Sequence, residues 1–91
     1  MDRLPLVFGI GIDIIPKDAI YVGRPTKWGN PYKIDDKRGN TREVVIKRYE
    51  HWLTSSSQLM SELVELRGKD LYCWCAPLPC HADVLLRLGN E

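Results

Sequence analysis

Two apolar runs separated by a turn open the chain. Residues 6–15 are mostly apolar and β-branched, and residues 19–23 form a second such run, so both are predicted to be strands. The turn at residues 16–18 is short, which favours antiparallel pairing of the two strands. Residues 24–31 contain too many glycines and prolines for a regular element, and residues 32–34 are compatible with a brief third strand.

Two helices, each with one apolar face, are predicted next. Thr41 is a good N-cap, and the acidic Glu43 follows it in the first turn. The apolar residues after this cap recur at the i, i+3, i+4 spacing of a helix: Val45, Ile46, Tyr49, Trp52 and Leu53. Residues 54–57 break the pattern, and a serine there can cap a second helix. The apolar stripe of that helix is Leu59, Met60, Leu63 and Val64, and Gly68 is its predicted C-cap.

A strand and a helix are predicted for the C-terminal part. Residues 70–75 have the composition of a strand, and Pro77 and Pro79 prevent its continuation. Residues 81–88 form an amphipathic helix whose inward-facing side chains are Val84, Leu85 and Leu88. The order of elements predicts a single compact α/β (or α+β) domain over residues 1–91. We expect a small mixed sheet of three to four strands and about three helices.

The composition fits one globular domain and narrows the possible functions. Of the 91 residues, 44% are hydrophobic and 27% are charged, which suits a single core. The formal net charge of +1 gives no overall attraction to nucleic acid, although Lys17, Arg24 and Lys27 form a local basic group. The sequence shows no secretory signal and no apolar run long enough to cross a membrane, so no membrane association is predicted.

The three cysteines lie close together, between residues 73 and 80. A disulfide framework would spread an even number of cysteines along the chain, so this pattern predicts reduced thiols in the cytoplasm. Strand alternation places Cys73 and Cys75 on one face. Cys80 and His81 fall at the start of the last predicted helix, where α/β proteins bind ligands.

Three interpretations of this cysteine–histidine cluster are open. In the first, Cys73, Cys75, Cys80 and His81 bind a tetrahedral zinc ion, although their spacing differs from the usual C-x2-C pair. His51 could replace His81 as the fourth ligand. In the second, Cys80 is a reactive thiolate whose pKa is lowered by the helix N-terminus, with His81 assisting. In the third, Cys73 and Cys75 are small core residues and His81 only begins a helix.

The loop at residues 24–31 is a second candidate for chemistry. Arg24, at the end of a predicted strand, can clamp an anion, and Trp28 offers a stacking surface for a base or sugar. Asn30 supplies both a donor and an acceptor. A structural alternative is equally open: Trp28 covers the edge of the core, and Arg24 pairs with an acidic residue.

Several motifs in the same order give a resemblance to a known family. The chain resembles domain-of-unknown-function family 4326 over about residues 19–88, in the segments 21–31, 41–43, 49–53, 66–71 and 73–83. Members of this family are small proteins of bacteria and their phages. The resemblance draws attention to a shared set of positions: Gly23, Arg24, Gly29, Asn30, Pro31, Arg42, Glu43, Cys73, Cys75, Pro79, Cys80, His81 and Asp83.

Three of these segments are predicted to form one pocket. They are the loop 23–31, the helix start 41–43 and the loop 75–83. The leading hypothesis is a ligand-binding or catalytic domain for an anionic ligand of nucleotide or nucleic-acid type. Cys80 would act as nucleophile and His81 or Glu43 as acid or base. The predicted ligand contacts are Arg24, Trp28, Asn30, Arg42 and Asp83.

The alternative hypothesis is a non-enzymatic module. Zinc on three cysteines and one histidine would stabilise a domain of this size. Such a module would bind nucleic acid or a protein partner, as an interaction protein between a phage and its host does. Zinc is therefore the one cofactor for which the sequence supplies candidate ligands.

Overall fold

A three-stranded parallel sheet lies at the centre of the protein. The computed structural model describes residues 4–75 and 78–91. The strands are β1 (Val7–Gly9), β2 (Ile20–Tyr21) and β3 (Leu71–Cys73), in the order β1-β3-β2. Both outer strands run parallel to β3. The predicted α/β class is therefore confirmed, with a parallel sheet in place of a mixed one. Pro77, predicted to help end the last strand, lies outside the described residues.

The predicted antiparallel pairing of the first two strands is wrong. Strand β3 lies between them, and it accepts hydrogen bonds from both sides: Ile10 N donates to Cys73 O at 3.1 Å, and Val22 N donates to Tyr72 O at 3.1 Å. The first strand is also shorter than predicted. It ends at Gly9 because Asp13 N turns back to Gly9 O at 2.9 Å. The connection to β2 is thus a crossover to the far side of β3 and not a hairpin.

The segment after the second strand is not a strand either. Residues 32–34 have no regular structure, and the chain then closes a tight turn in which Asp35 and Asn40 form an isolated bridge. A short 3-10 helix at Asp36–Arg38 lies within this turn, and Gly39 ends it with a φ of 78°. The residues between β2 and the first long helix therefore form one long loop whose only regular piece is this 3-10 turn.

The helices begin where the sequence predicts. Helix α1 (Arg42–Thr54) is capped by Thr41, whose side chain accepts from Val44 N, and helix α2 (Ser57–Glu62) is capped in the same way by Ser56. Helix α3 (His81–Gly89) begins at the predicted residue, with Cys80 at its N-cap position. Gly68 has the positive φ, 73°, expected of a residue that ends a helical segment.

The apolar stripe of the second helix differs from the prediction. Helix α2 tightens into a 3-10 turn at Leu63–Leu66, which rotates the following side chains relative to an α-helix. Leu66 is therefore buried, whereas Val64 and Met60 are 68% and 37% exposed. The helix is present, and Leu63 is buried and Leu59 packs against the core as predicted, whereas the prediction is wrong for Met60 and Val64.

One hydrophobic core joins the sheet to all three helices. Its most completely buried large side chains come from α1, the 3-10 turn after α2, β3, α3 and the residue after β2: Tyr49, Leu53, Leu66, Leu71, Leu85, Val22 and Cys73. Tyr49 also donates its hydroxyl hydrogen to Trp28 O at 2.7 Å, which fixes the loop after β2 to α1. Within the described part of the chain, no helix has the length and apolar character to cross a membrane.

Candidate functional site

A cavity of about 470 Å³ opens at the carboxyl ends of β2 and β3. Its wall combines the segment after β2, the loop that leads to α1, the first turns of α1, the end of β3 and the start of α3. In a parallel sheet, the carboxyl ends of neighbouring strands share one edge, and ligands of α/β proteins bind beyond that edge. The position of the cavity follows from this rule.

Residues from all three predicted segments line this cavity. The wall contains Gly23, Arg24 and Asn30 from the first segment, Arg42 from the second, and Cys75, Pro79, Cys80 and His81 from the third. The structure thus places the loop after β2, the start of α1 and the start of α3 around one space.

Three predicted site residues do not line the cavity. Trp28 is 3% exposed and belongs to the core. Glu43 is exposed on the first turn of α1. Asp83 accepts a hydrogen bond from Cys80 N at 3.0 Å and so caps α3. The Trp28 indole and the Glu43 and Asp83 carboxylates therefore lie outside the cavity wall.

Arg24 closes the loop that follows β2. Its Nε donates to Asn30 O at 2.7 Å and its Nη2 donates to Tyr32 O at 3.3 Å. A guanidinium has five N–H donors, so these two bonds leave others for a ligand. Gly29 is required at this closure because a Cβ there would lie 3.0 Å from Arg24 N, Cα and Cγ. The alternative prediction that Arg24 pairs with an acidic residue is not supported among residues 4–75 and 78–91, where Arg24 has no ion pair.

Asn30 holds the loop against α1. Its Oδ1 accepts from Tyr32 N at 2.8 Å, and its Nδ2 donates to Val45 O at 3.4 Å. Arg42 makes the corresponding bridge on the other side, from α1 to the residue before α3, by donating from Nη1 to Pro79 O at 3.1 Å. Both side chains keep the wall of the cavity together.

The charge of the wall is wholly positive among the described lining residues. Arg24, Lys33 and Arg42 line the cavity, and no aspartate or glutamate does. The chain as a whole has 13 lysines and arginines against 12 acidic residues. A nearly neutral protein therefore has a local concentration of positive charge at this one concave site, and such a site attracts anions.

Aromatic side chains make up another part of the wall. Tyr21, Tyr32 and Trp74 line the cavity, and Trp74 is 68% exposed. Tyr21 is held in place because its hydroxyl donates to Arg24 O at 2.9 Å and its ring lies 5.3 Å from that of Tyr72. The sequence interpretation did not assign these aromatic residues to the site. For Trp74 the available signal was its position directly after β3, and Tyr21 is the last residue of β2.

Cys73 and Cys80 form a close pair in the wall. Their Sγ atoms lie 3.1 Å apart in a hydrogen bond, and the two residues are 1% and 3% exposed. The hydrogen bond to Cys73 and burial raise the pKa of the Cys80 thiol, and the N–H of Ala82 opposes them with a smaller effect. The predicted lowering of this pKa by the helix N-terminus is therefore outweighed. Cys75 is exposed because β3 ends at Cys73, which ends the strand alternation.

His81 is fixed in one tautomer. Its Nε2 lies 2.7 Å from Val22 O, and because a carbonyl oxygen only accepts, Nε2 carries the hydrogen. Burial lowers the pKa of His81, and the positive charge of Arg24 adds to this effect. The ring is therefore neutral at pH 7, with Nδ1 unprotonated. Its edge-to-face contact with Tyr49, at 5.0 Å between ring centroids, fixes the ring plane.

The predicted zinc ligands do not converge in this arrangement. Among residues 4–75 and 78–91, no three histidine, cysteine or acidic side chains are close enough to hold a metal ion. The Nε2 of His81 is engaged with Val22 O, and Cys75 and His51 are exposed. Only the Cys73–Cys80 pair brings two of the candidate ligands together.

These features define a class of protein: a small α/β domain with a cationic and aromatic cavity at the carboxyl edge of a parallel sheet. The family model described as Domain of unknown function (DUF4326) matches residues 11–91. The chain belongs to this family, which confirms the resemblance drawn from its motifs.

Two viral relatives extend this comparison. One is described as uncharacterized protein R718 of Acanthamoeba polyphaga mimivirus; it is 30% identical in an alignment of 94 positions that spans 84% of this chain and 70% of the relative. The other, from Enterobacteria phage T4, is described as an uncharacterized 12.4 kDa protein in the nrdA-td intergenic region. It is 31% identical in an alignment of 76 positions that spans 79% of this chain and 68% of the relative. No solved structure matches the chain.

Proposed function

We propose that the cavity binds a small anionic ligand of the nucleotide type. The observation that carries this proposal is the charge of the wall: Arg24, Lys33 and Arg42 line it, and no acidic side chain accompanies them among the described lining residues. Arginines with free N–H groups recognise phosphate oxygens through charge-assisted hydrogen bonds, which are stronger than neutral ones.

The aromatic side chains favour a nucleotide over a bare inorganic anion. Tyr21, Tyr32 and Trp74 line the same space, and stacking on an aromatic ring stabilises a bound base by roughly 1–3 kcal/mol. The volume of about 470 Å³ lies within the range of roughly 300–1,000 Å³ found for small-molecule sites. A mononucleotide fits these dimensions better than a long strand does.

Binding, more than nucleophilic catalysis, is what the thiol geometry supports. The raised pKa of Cys80 favours its protonated form, whereas a nucleophilic cysteine acts as the thiolate. His81 is held neutral, with Nε2 engaged. We therefore assign Cys80 and His81 to the wall of the site. We also propose a cytoplasmic location, where the three cysteines, none of which is in a disulfide, would stay reduced.

Calorimetric titration with mononucleotides tests the proposal. The probes are adenosine and uridine 5′-monophosphates, with the two uncharged nucleosides as controls for the phosphate. We expect the monophosphates to bind at least about ten times more tightly than the nucleosides, because a charge-assisted hydrogen bond contributes about 1.5–3 kcal/mol. Single-stranded oligonucleotides in the same assay separate a nucleotide site from a nucleic-acid site.

Arginine variants locate the binding. Arg24→Met and Arg42→Met should each weaken monophosphate binding about tenfold, since each removes charged donors from the wall. Arg48→Met is the matched control, because Arg48 is exposed on α1 and does not line the cavity. Circular dichroism shows whether each variant is folded. Equal affinities in all three variants, or no monophosphate binding by the wild-type protein, would refute the proposal.

A further inference from the structure

The two buried cysteines belong to different elements that the fold holds close together. Cys73 is the last residue of β3, and Cys80 is the N-cap of α3. Their Sγ atoms are separated by 3.1 Å, and a disulfide requires about 2.05 Å. Both residues are part of the main hydrophobic core, so the packing of β3 and α3 keeps the sulfur atoms adjacent.

Both cysteines of this pair contribute to the cavity wall. Each is almost completely buried, at 1% and 3% exposure, so a small reagent has to enter the cavity and move wall atoms aside to meet either sulfur. The third thiol, Cys75, is exposed and also lines the cavity. Of the three thiols, Cys73 and Cys80 are the two whose sulfur atoms are already in contact. This contact is what should select them, and not Cys75, for a disulfide.

We propose that Cys73 and Cys80 are a redox site that forms a reversible intramolecular disulfide when the protein meets hydrogen peroxide. This assignment goes beyond ligand binding and does not depend on it. The bond would join the carboxyl end of β3 to the start of α3 and would lie in the cavity wall itself. It would thereby connect the shape of the cavity to the redox state of its surroundings.

The reaction balances with one peroxide for each disulfide. Cys73 loses its proton and its sulfur attacks a peroxide oxygen; the O–O bond breaks, and the leaving hydroxide takes up the proton as water while Cys73 becomes a sulfenic acid. Cys80 stays protonated at this stage and supplies the second sulfur. The second sulfur then attacks the sulfenic sulfur, and the hydroxyl group leaves as a second water. Two thiols are oxidised by two electrons in total, and one peroxide is reduced to two waters. A dithiol reductant such as dithiothreitol reverses the process by thiol–disulfide exchange.

Mass spectrometry of the folded protein tests the assignment. After treatment with hydrogen peroxide, the intact mass should fall by about 2 Da, the loss of the two thiol hydrogens. Digestion without reductant should give one cross-linked product that contains Cys73 and Cys80, and dithiothreitol should restore the original mass. Cys75→Ser is the matched variant, because it removes the exposed thiol and should retain the same loss. Cys73→Ser should abolish it.

Three outcomes would overturn the assignment. A cross-link through Cys75, or separate oxidation of the thiols to sulfinic acids without a link, would show that contact between Cys73 and Cys80 does not direct the chemistry. Metal analysis of protein purified without added zinc gives the third: one equivalent of zinc released on thiol oxidation would identify the pair as metal ligands. The wild-type and Cys75→Ser measurements decide the matter even if Cys73→Ser does not fold.

Discussion

At the scale of single residues, His81 has an unusually constrained place. Its ring donates from Nε2 to Val22 O, contacts Tyr49 edge to face, and lies under the influence of the Arg24 charge. Protonation of Nδ1 would put a second positive charge in this buried environment. Burial and the Arg24 charge therefore favour the neutral imidazole at this junction between the start of α3 and the residue after β2.

This constraint predicts a specific dependence of stability on pH. The folded-state pKa of His81 lies below its ordinary value of 6.5, so below pH 6.5 the unfolded chain binds more protons than the folded one. The free energy of unfolding should therefore fall as the pH decreases from about 6.5 towards the lowered pKa, and be unaffected by this group at higher pH. Urea denaturation at pH 7.5 and 5.5 measures the difference.

The matched variants separate His81 from the other titrating groups. His81→Gln, whose amide can still donate to Val22 O, should lose less stability between pH 7.5 and 5.5 than the wild type does. His51→Gln should behave as the wild type, because His51 is exposed on α1. Identical pH dependence of wild type and His81→Gln would contradict the role assigned to burial.

At the scale of elements, the start of α1 fixes one side of the cavity. Thr41 accepts a hydrogen bond from Val44 N at 3.3 Å, and the next residue, Arg42, reaches across to Pro79 O. A frayed first turn would release Arg42 from this bridge. The N-cap of α1 thus contributes to the site as well as to the helix.

Replacement of the cap measures this contribution. Thr41→Ala should lower the free energy of unfolding by about 1 kcal/mol, because it leaves a helix N–H without its partner. Thr41→Ser keeps a hydroxyl in the same position and should differ from the wild type by only a few tenths of that amount. Urea denaturation monitored by circular dichroism gives both values. An alanine variant as stable as the serine variant would show that the cap is not used.

Local signals in the sequence predicted the helices and their ends, but not the sheet. Thr41, Ser56 and Gly68 act within a few residues of their own positions, so a cap can be inferred from the sequence alone. Strand pairing depends on which segments meet across the whole chain. Nothing between residues 10 and 19 indicates that β3, some fifty residues later, separates β1 from β2.

The site was partly predictable for the same reason. Arg24, Arg42, Cys80 and His81 line the cavity as the motifs indicated, because each stands at the start or end of an element. Trp28 and Trp74 show the limit of this reasoning. The stacking surface predicted at Trp28 is in the core, and Trp74 lines the cavity instead. Whether an indole faces the core or a cavity depends on tertiary packing that no local pattern specifies.

At the scale of the whole molecule, one continuous core makes the elements depend on one another. Leu71 lies in the central strand, is 0% exposed, and is opposite residues of both outer strands. The sheet has very short strands, so its stability comes mainly from the side chains packed against it. A chain of this length should accordingly unfold as a single unit.

Leu71→Ala tests this cooperativity. The substitution should lower the free energy of unfolding by about 2–5 kcal/mol, the usual cost of a cavity at a buried leucine. Fluorescence of the tryptophans and far-ultraviolet circular dichroism should report the same transition in the wild type and in the variant. Ile14→Ala, at a residue that is 95% exposed, should change stability by less than about 0.5 kcal/mol. Two separate transitions would contradict a single folding unit.

The anchoring of the arginines in the cavity wall has a consequence for kinetics. Arg24 is held by two main-chain carbonyl oxygens and Arg42 by a third, so their torsional freedom is restricted before any ligand arrives. Ordering a flexible side chain on binding normally costs about 0.5–1.5 kcal/mol. Here folding has already ordered both guanidinium groups. A ligand would therefore meet a preorganised site, and its association rate would be set by diffusion and electrostatic attraction more than by rearrangement of the protein.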